Sequence, residues 1–316
     1  MSSGYLTNKE NIKSIITKYL LALLPLIIAG FYKNGIKLYI ADYVGIMGML
    51  KPLVYDALGF IIGALVNIIY ETIIKKNKDI LKSIFSSFHP LYGILIASII
   101  SINTKIYIFV PIAFTALMIS KFIKKNILNI TALSALIIIF IEKFTTGFSF
   151  LNAYEASSKL NLVALDYLIG RGSGGINTAH VILLIISLLL LCQIKSYKRE
   201  IPLYSAVVYS LFMIIYCIFT NNVGNILDNI FSNGILFSYI FIASDSVTSS
   251  YTETGKIIYS LIIGIATFGL FLIYPPLSAI GAILIASISH STIDRIVINL
   301  LKIKNKKLRG QNEKVS

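Results

Sequence analysis

Two stretches of this chain carry side chains that can do chemistry. The first is Ser244-Asp245-Ser246-Val247-Thr248-Ser249-Ser250, one carboxylate set among five hydroxyls. Ser244, Asp245 and Thr248 present hard oxygen atoms that suit a cation. A plainer role is also open, in which the hydroxyls satisfy carbonyls at a helix end. The second is Gly170-Arg171-Gly172-Ser173-Gly174-Gly175. Gly172, Ser173, Gly174 and Gly175 would expose backbone N–H groups beside the Arg171 guanidinium at a helix start, a cradle for phosphate. Its plainer reading is a flexible loop entering a helix capped by Thr178. His89, His180 and His290 are far apart and lack ligand spacing, so no metal site is expected. Asp294-Arg295 reads as a helix-end ion pair. No P-loop and no Ser/His/Asp arrangement is present.

The Asp245 cluster ends a short segment. Ser232-Asn233-Gly234 is a turn signal, and the apolar run that follows reaches only from Ile235 to Ala243. Nine helical residues rise roughly 13 Å, about half of a ~30 Å hydrocarbon core. A polar break at that depth is tolerated only where protein or a water-filled cavity surrounds it. An echo lies upstream: Pro90-Leu91-Tyr92-Gly93-Ile94-Leu95 opens another short run, which breaks at Ser101-Ile102-Asn103. Gly93-Ile94-Leu95 and Gly234-Ile235-Leu236 occupy corresponding places in two halves. Paired half-helices of this kind mark binding sites in inverted-repeat transporters.

Composition sets the frame. The 316 residues are 56% hydrophobic and 13% charged, with a mean hydropathy of +0.82. Soluble domains are about 45–50% apolar and about 25% charged. The chain is therefore read as an all-α polytopic membrane protein in contact with lipid bilayer. The formal charge of +14 reflects Lys residues that flank spans, so no nucleic-acid partner is expected. Cys192 and Cys217 fall in apolar runs and read as packing residues, not a disulfide.

About ten transmembrane segments are predicted. They cover Tyr19 to Tyr32, Leu53 to Ile74, 90–101, Ile106 to Ile123, Ile127 to Ile141, Ala179 to Ile194, Pro202 to Thr220, 234–243, Ile257 to Tyr274 and Leu277 to Leu301. The first reads as a retained span, since no small-residue cleavage site follows it. Residues 33–52 read as a polar loop with an amphipathic middle. This divides the chain into a first five-segment repeat at 1–143, a loop at 144–177, a second repeat at 178–301 and a basic tail at 302–316, expected to be disordered. With the N-terminus inside, 21 of the 28 Lys and Arg residues fall on the cytoplasmic side and seven outside. That asymmetry puts both termini in the cytoplasm and the long loop outside. Since five is odd, the repeats are inverted.

Several motifs carry a family resemblance. Asn233-Gly234-Ile235-Leu236-Phe237, Ala243-Ser244-Asp245-Ser246-Val247-Thr248-Ser249, Gly255, Tyr274-Pro275 and Ile293-Asp294 follow one pattern in order. Leu168 to Thr178, Arg199-Glu200-Ile201-Pro202-Leu203 and Lys125-Asn126-Ile127-Leu128-Asn129 extend it. The chain resembles the RnfD/NqrB family, most strongly over about 165–295. Its members are the RnfD component of Rnf electron-transport complexes and the NqrB component of the sodium-translocating NADH:quinone reductase.

That resemblance implies ten helices in two inverted repeats, bound flavin, and electron transfer coupled to Na⁺ or H⁺ movement within an ion-translocating oxidoreductase complex. It implies other membrane subunits, an extracytoplasmic flavoprotein partner and a bacterial-type plasma membrane. Asn129, Ser244, Asp245 and Thr248 become candidates for the polar edge of an isoalloxazine, and Arg171 with Gly172 to Gly175 for its phosphate. The family esterifies FMN to the Thr of an S-G-A-T motif. Here Glu155-Ala156-Ser157-Ser158 stands in that place, with Ser158 at the attachment position. The altered motif predicts non-covalent FMN, with an ester at Ser158 and bound riboflavin as alternatives. A small-solute channel with a urea-channel-like inverted repeat is the other class that this plan accommodates.

Overall fold

A computed structural model describes residues 12–76, 79, 83–123, 128–145, 147–157 and 162–312, with the side chains of 156 and 304–312 excepted. Ser158 and Lys124-Lys125-Asn126 lie outside these residues. Every regular element described is helical.

The first half contains α1 (Ile12–Phe31), α2 (Ile46–Ile69), the short α3 (His89–Ile99), α4 (Ile106–Phe122) and α5 (Ile130–Thr145). Two small helices follow, α6 (Ala153–Ser157) and α7 (Ala164–Leu168). The second half contains α8 (Val181–Leu191), α9 (Glu200–Phe219), α10 (Ile226–Phe231), the short α11 (Ile235–Ala243), α12 (Glu253–Ile273) and α13 (Ser278–Asn312). Five helical stretches are long and apolar enough to cross a membrane: Ile12–Ile40, Ile46–Ile74, Glu200–Phe219, Glu253–Ile273 and Pro275–Ile303. Shorter apolar helices and the bent α10–α11 pair add to them. The protein is a multi-pass membrane protein.

Both expected half-helices are present. Pro90 opens α3 in its first turn, where a missing N–H costs nothing. Its C-cap, Ile100, is extended. The second turn signal works as its composition demands: Asn233 and Gly234 both take positive φ, and α10 and α11 meet there at 41°.

Two expectations fail. Residues 33–52 are not a polar loop. After α1 the chain winds through a π-helical turn (Tyr32–Ile36) to Ile40, and α2 begins at Ile46. Lys33 and Asn34 read as loop residues because their partners are distant in sequence. Lys33 pairs with Glu155, and the Asn34 amide donates to the Ile176 carbonyl at 2.8 Å. Nor is the basic tail disordered throughout, since α13 runs on to Asn312. Lys and Arg are good helix formers and extend a helix already nucleated by its apolar part.

Packing crosses between the halves. α1 lies on α8, α5 on α13, and α3 on α11. Within the first half α2 and α3 approach through Gly59 and Gly93. A methyl group on either would collide with the backbone of the other, so the close crossing needs glycine at both. Cys192 and Cys217 are free thiols.

Candidate functional sites at the two ends of the bundle

The half-helices bring one predicted cluster together. The Thr248 hydroxyl donates to Asp245 Oδ2 at 2.8 Å, and Asn129 Nδ2 donates to Thr248 Oγ1 at 3.1 Å and to the Ile242 carbonyl at 2.9 Å. Residues far apart in sequence thus meet because Asn129 sits just before α5 and Asp245 just after α11. They line a cavity of about 140 Å³ with His89, Tyr92, Ser120 and Thr131. The Tyr92 hydroxyl donates to Asp245 Oδ1 at 3.2 Å, and His89 is held between Ser87 at 2.7 Å and Ser120 at 2.8 Å.

Ser244 does not face this cavity. Its hydroxyl donates to the Ile240 carbonyl one turn back, the helix-end role. Lys198 was not singled out by sequence and proves central. Its ammonium donates to the Ser246 and Ser249 carbonyls and to Ser249 Oγ at 3.1, 2.7 and 2.8 Å, fixing the loop that carries Asp245. Burial lowers Lys198 to about 8, against the pull of the Asp245 and Asp294 carboxylates.

Asp294 does not form the expected pair with Arg295. Neighbours on a helix point apart. Asp294 instead accepts from Ser250 Oγ at 2.5 Å, Thr252 Oγ1 at 2.6 Å, and the Tyr251 and Thr252 N–H groups at 3.1 Å each. It ties α13 to the start of α12. Among the described residues no cluster of His, Cys, Asp and Glu has the shape of a metal site.

The second predicted cluster lies at the other end. α5 has 16 residues, roughly 24 Å of rise, with the Asn129 cavity at its start and the segment that carries α6 and α7 after its end. Arg171 is exposed and bonds Asp166 Oδ1 at 2.7 Å through one nitrogen. Gly172 accepts from Lys33 through its carbonyl, and the Ser173 carbonyl accepts from Asn233 N at 2.9 Å. Gly174 packs by Thr178, and Gly175 lies so close to the Ile99 carbonyl that no Cβ fits there.

The expected helix start is displaced. α8 begins at Val181 with His180 as N-cap, and Thr178 is not its cap. Residues 176–177 are spent elsewhere: Ile176 N donates to Ile100 O and Asn177 N to Ser98 O, both at 3.0 Å. The glycine loop is thus a seam stitched to the end of α3. Its outer edge still opens on a cavity of about 450 Å³, lined by Arg171, Ser173, Asn233, Phe148, Phe271 and Tyr274 among others. Glu155, paired with Lys33, and Asp228 also line it.

The model of the NQR2, RnfD, RnfE family matches residues 1–301. The chain belongs to this family. A search of curated proteins returns no match. The NQR2, RnfD, RnfE match includes both short helices, the Asp245 cavity and the 144–177 segment, so it reaches well into the first half, where the sequence resemblance is faintest. Membership makes the protein a membrane subunit of the Rnf/Nqr type.

Proposed function

We propose that this protein is the flavin-dependent electron-transfer subunit of a membrane complex, with FMN held non-covalently in the outer cavity. The observation that carries the proposal is the cavity of about 450 Å³ beside Arg171 in a chain of this family. Its volume lies within the roughly 300–1,000 Å³ of small-molecule sites. Only one guanidinium nitrogen of Arg171 is engaged by Asp166, so the remaining N–H donors are available to phosphate. Phe148, Phe271 and Tyr274 offer flat apolar surface to a ring system. Ser173 supplies a further hydroxyl.

The inner cavity, at about 140 Å³, is too small for a tricyclic ring. Asn129, Asp245 and Thr248 match the hydrogen-bonding edge of a flavin, riboflavin included, but not its whole body. Bound flavin supplies one- and two-electron redox chemistry. The protein's own part is to orient the phosphate, shield the ring and place Asp245 on the opposite face. We place the chain in a bacterial-type plasma membrane, as ten segments in two inverted five-helix repeats with both termini cytoplasmic. Other membrane subunits and an extracytoplasmic flavoprotein are its partners, and Na⁺ or H⁺ is the coupled ion.

The test is flavin content before and after denaturation. Purified protein should carry flavin absorbance that acid releases completely, and Arg171→Ala should lower its content. A fluorescent band on a denaturing gel that vanishes in Ser158→Ala would replace the non-covalent reading with an ester. Colourless protein that takes up no added FMN would overturn the proposal.

A further inference from the structure

α13 runs past the end of the helix it packs against. α12 has 21 residues, roughly 32 Å of rise, close to the ~30 Å of a hydrocarbon core. Its start is tied to α13 at Asp294, through Ser250, Thr252 and the N–H groups of Tyr251 and Thr252. Asp294 therefore marks one edge of the apolar layer, and the α13 residues after it enter the layer of lipid headgroups. The apolar stretch nevertheless continues to Ile303.

A cavity of about 440 Å³ lies at that level, with Tyr251, His290, Ser291, Arg295, Asn299 and Lys302 in its wall. Ser291, Arg295, Asn299 and Lys302 follow one another at intervals of four, four and three, so they share one face of α13. Among the described residues neither Arg295 nor Lys302 forms an ion pair. Asp294 also lines the cavity, but its carboxylate is committed to the four donors that tie it to α12. His290 Nδ1 donates to the Ser287 carbonyl at 2.5 Å, which fixes the ring. Two cations against one carboxylate leave the cavity positive. A guanidinium, an ammonium, hydroxyls and an amide are the donors that phosphate oxygens take.

Beside the donors runs an apolar stripe. Ile296 and Ile303 each follow a basic residue, Arg295 and Lys302, and are 54% and 55% exposed; Leu300 between them is 60% exposed. A free phosphate ion gains nothing from such a surface. A phospholipid does, because its headgroup meets the donors while its glycerol and first acyl methylenes cover the stripe. Basic pockets beside membrane helices hold anionic headgroups in this way.

We propose that α13 beyond Asp294, with the 246–251 loop, forms a binding site for the phosphate-bearing headgroup of an anionic phospholipid. Arg295 and Lys302 are its principal contacts. None of these donors lines either cavity considered for flavin, so the site does not depend on the electron-transfer reading.

The experiment is thermal unfolding of the full chain in a neutral detergent, titrated with dioleoylphosphatidylglycerol. Parallel titrations use dioleoylphosphatidylcholine, which has no net charge, and inorganic phosphate. Tm should climb with the logarithm of phosphatidylglycerol concentration above half-saturation. Phosphatidylcholine and inorganic phosphate should each need at least about tenfold more for the same rise. Arg295 and Lys302 are exposed, so the Arg295→Gln/Lys302→Gln protein should fold. Its half-saturating phosphatidylglycerol concentration should be roughly thirtyfold higher. Lys306→Gln/Lys307→Gln removes the same charge farther along α13 and should change that concentration by less than about threefold. Equal responses to the two lipids overturn the site. A full response to inorganic phosphate assigns the donors to a free anion and overturns the lipid. Equal losses in the two double variants show diffuse attraction to a basic helix, and overturn it as well.

Discussion

Lys33 and Glu155 form an ion pair of 2.8 Å with both side chains more than nine-tenths buried. Lys33 also donates to the Gly172 carbonyl, so one ammonium joins the end of α1 to α6 and to the glycine loop. Around it the Asn152 amide donates to Asn34 at 3.3 Å, and Tyr43 shares a hydrogen bond with Ser157 at 2.5 Å. Lys37 lies over the Tyr154 ring at 4.3 Å. The Glu that departs from the family's attachment motif is thus the partner of a buried lysine. Removing one member of a buried pair costs about 3–5 kcal/mol, because the other charge is stranded. Lys33→Met or Glu155→Gln alone should lower Tm strongly, and the double variant should recover part of the loss. A double-mutant cycle by thermal unfolding measures this coupling.

Asp245 accepts from Tyr92 and Thr248 at the inner cavity. Asp245→Asn preserves shape and should fold with Tm lowered by only a few degrees. Its electron-transfer activity should fall at least about tenfold if the carboxylate acts, a barrier change of about 1.4 kcal/mol. Tyr92→Phe removes one donor and should have a smaller effect. Full activity in Asp245→Asn would return the residue to a purely structural role.

Lys198 supplies a pH signature. Its folded value is about 8, below the ordinary lysine value of 10.5. Between these values the unfolded chain holds a proton that the folded protein has released. Stability contributed by this group therefore rises with pH across that window and is flat below it. The difference in Tm between wild type and Lys198→Met should grow in favour of wild type from about pH 8 to about pH 10. Paired thermal melts at each pH check it.

Orientation can be tested by labelling. Leu165 on α7 and Glu253 at the start of α12 are both exposed. In a background with Cys192 and Cys217 replaced by Ser, Leu165→Cys should react with an impermeant thiol reagent added outside cells. Glu253→Cys should react only after the membrane is opened. Reaction of both from one side contradicts inverted repeats.

The sequence made the helices legible wherever apolar runs were long, and it located both half-helices through their turn signals. Asp245, Thr248 and Asn129 were readable because hydroxyl and amide groups stand out in an apolar chain. Tyr92 and His89 were not, since an aromatic beside an apolar run looks like packing until α11 is set against α3. Lys33 and Lys198 were missed for one reason. Each charge is satisfied by groups far away along the chain, and periodicity within a window carries no trace of that. Helix ends also shifted: α12 begins at Glu253, with Thr252 accepting from Gly255 N, because capping residues are polar and read as loop.

The seam between Ile176–Asn177 and the end of α3 bears on how the protein is made. The last carbonyls of α3 meet their donors only after the chain has been synthesised as far as Asn177, beyond α7. The Ile242 carbonyl of α11 draws its donor from Asn129, made long before. Each half holds a group that the other must complete. A ribosome that has delivered only α1 to α5 has delivered an open polar end, which makes the two parts of the chain a single unit of assembly.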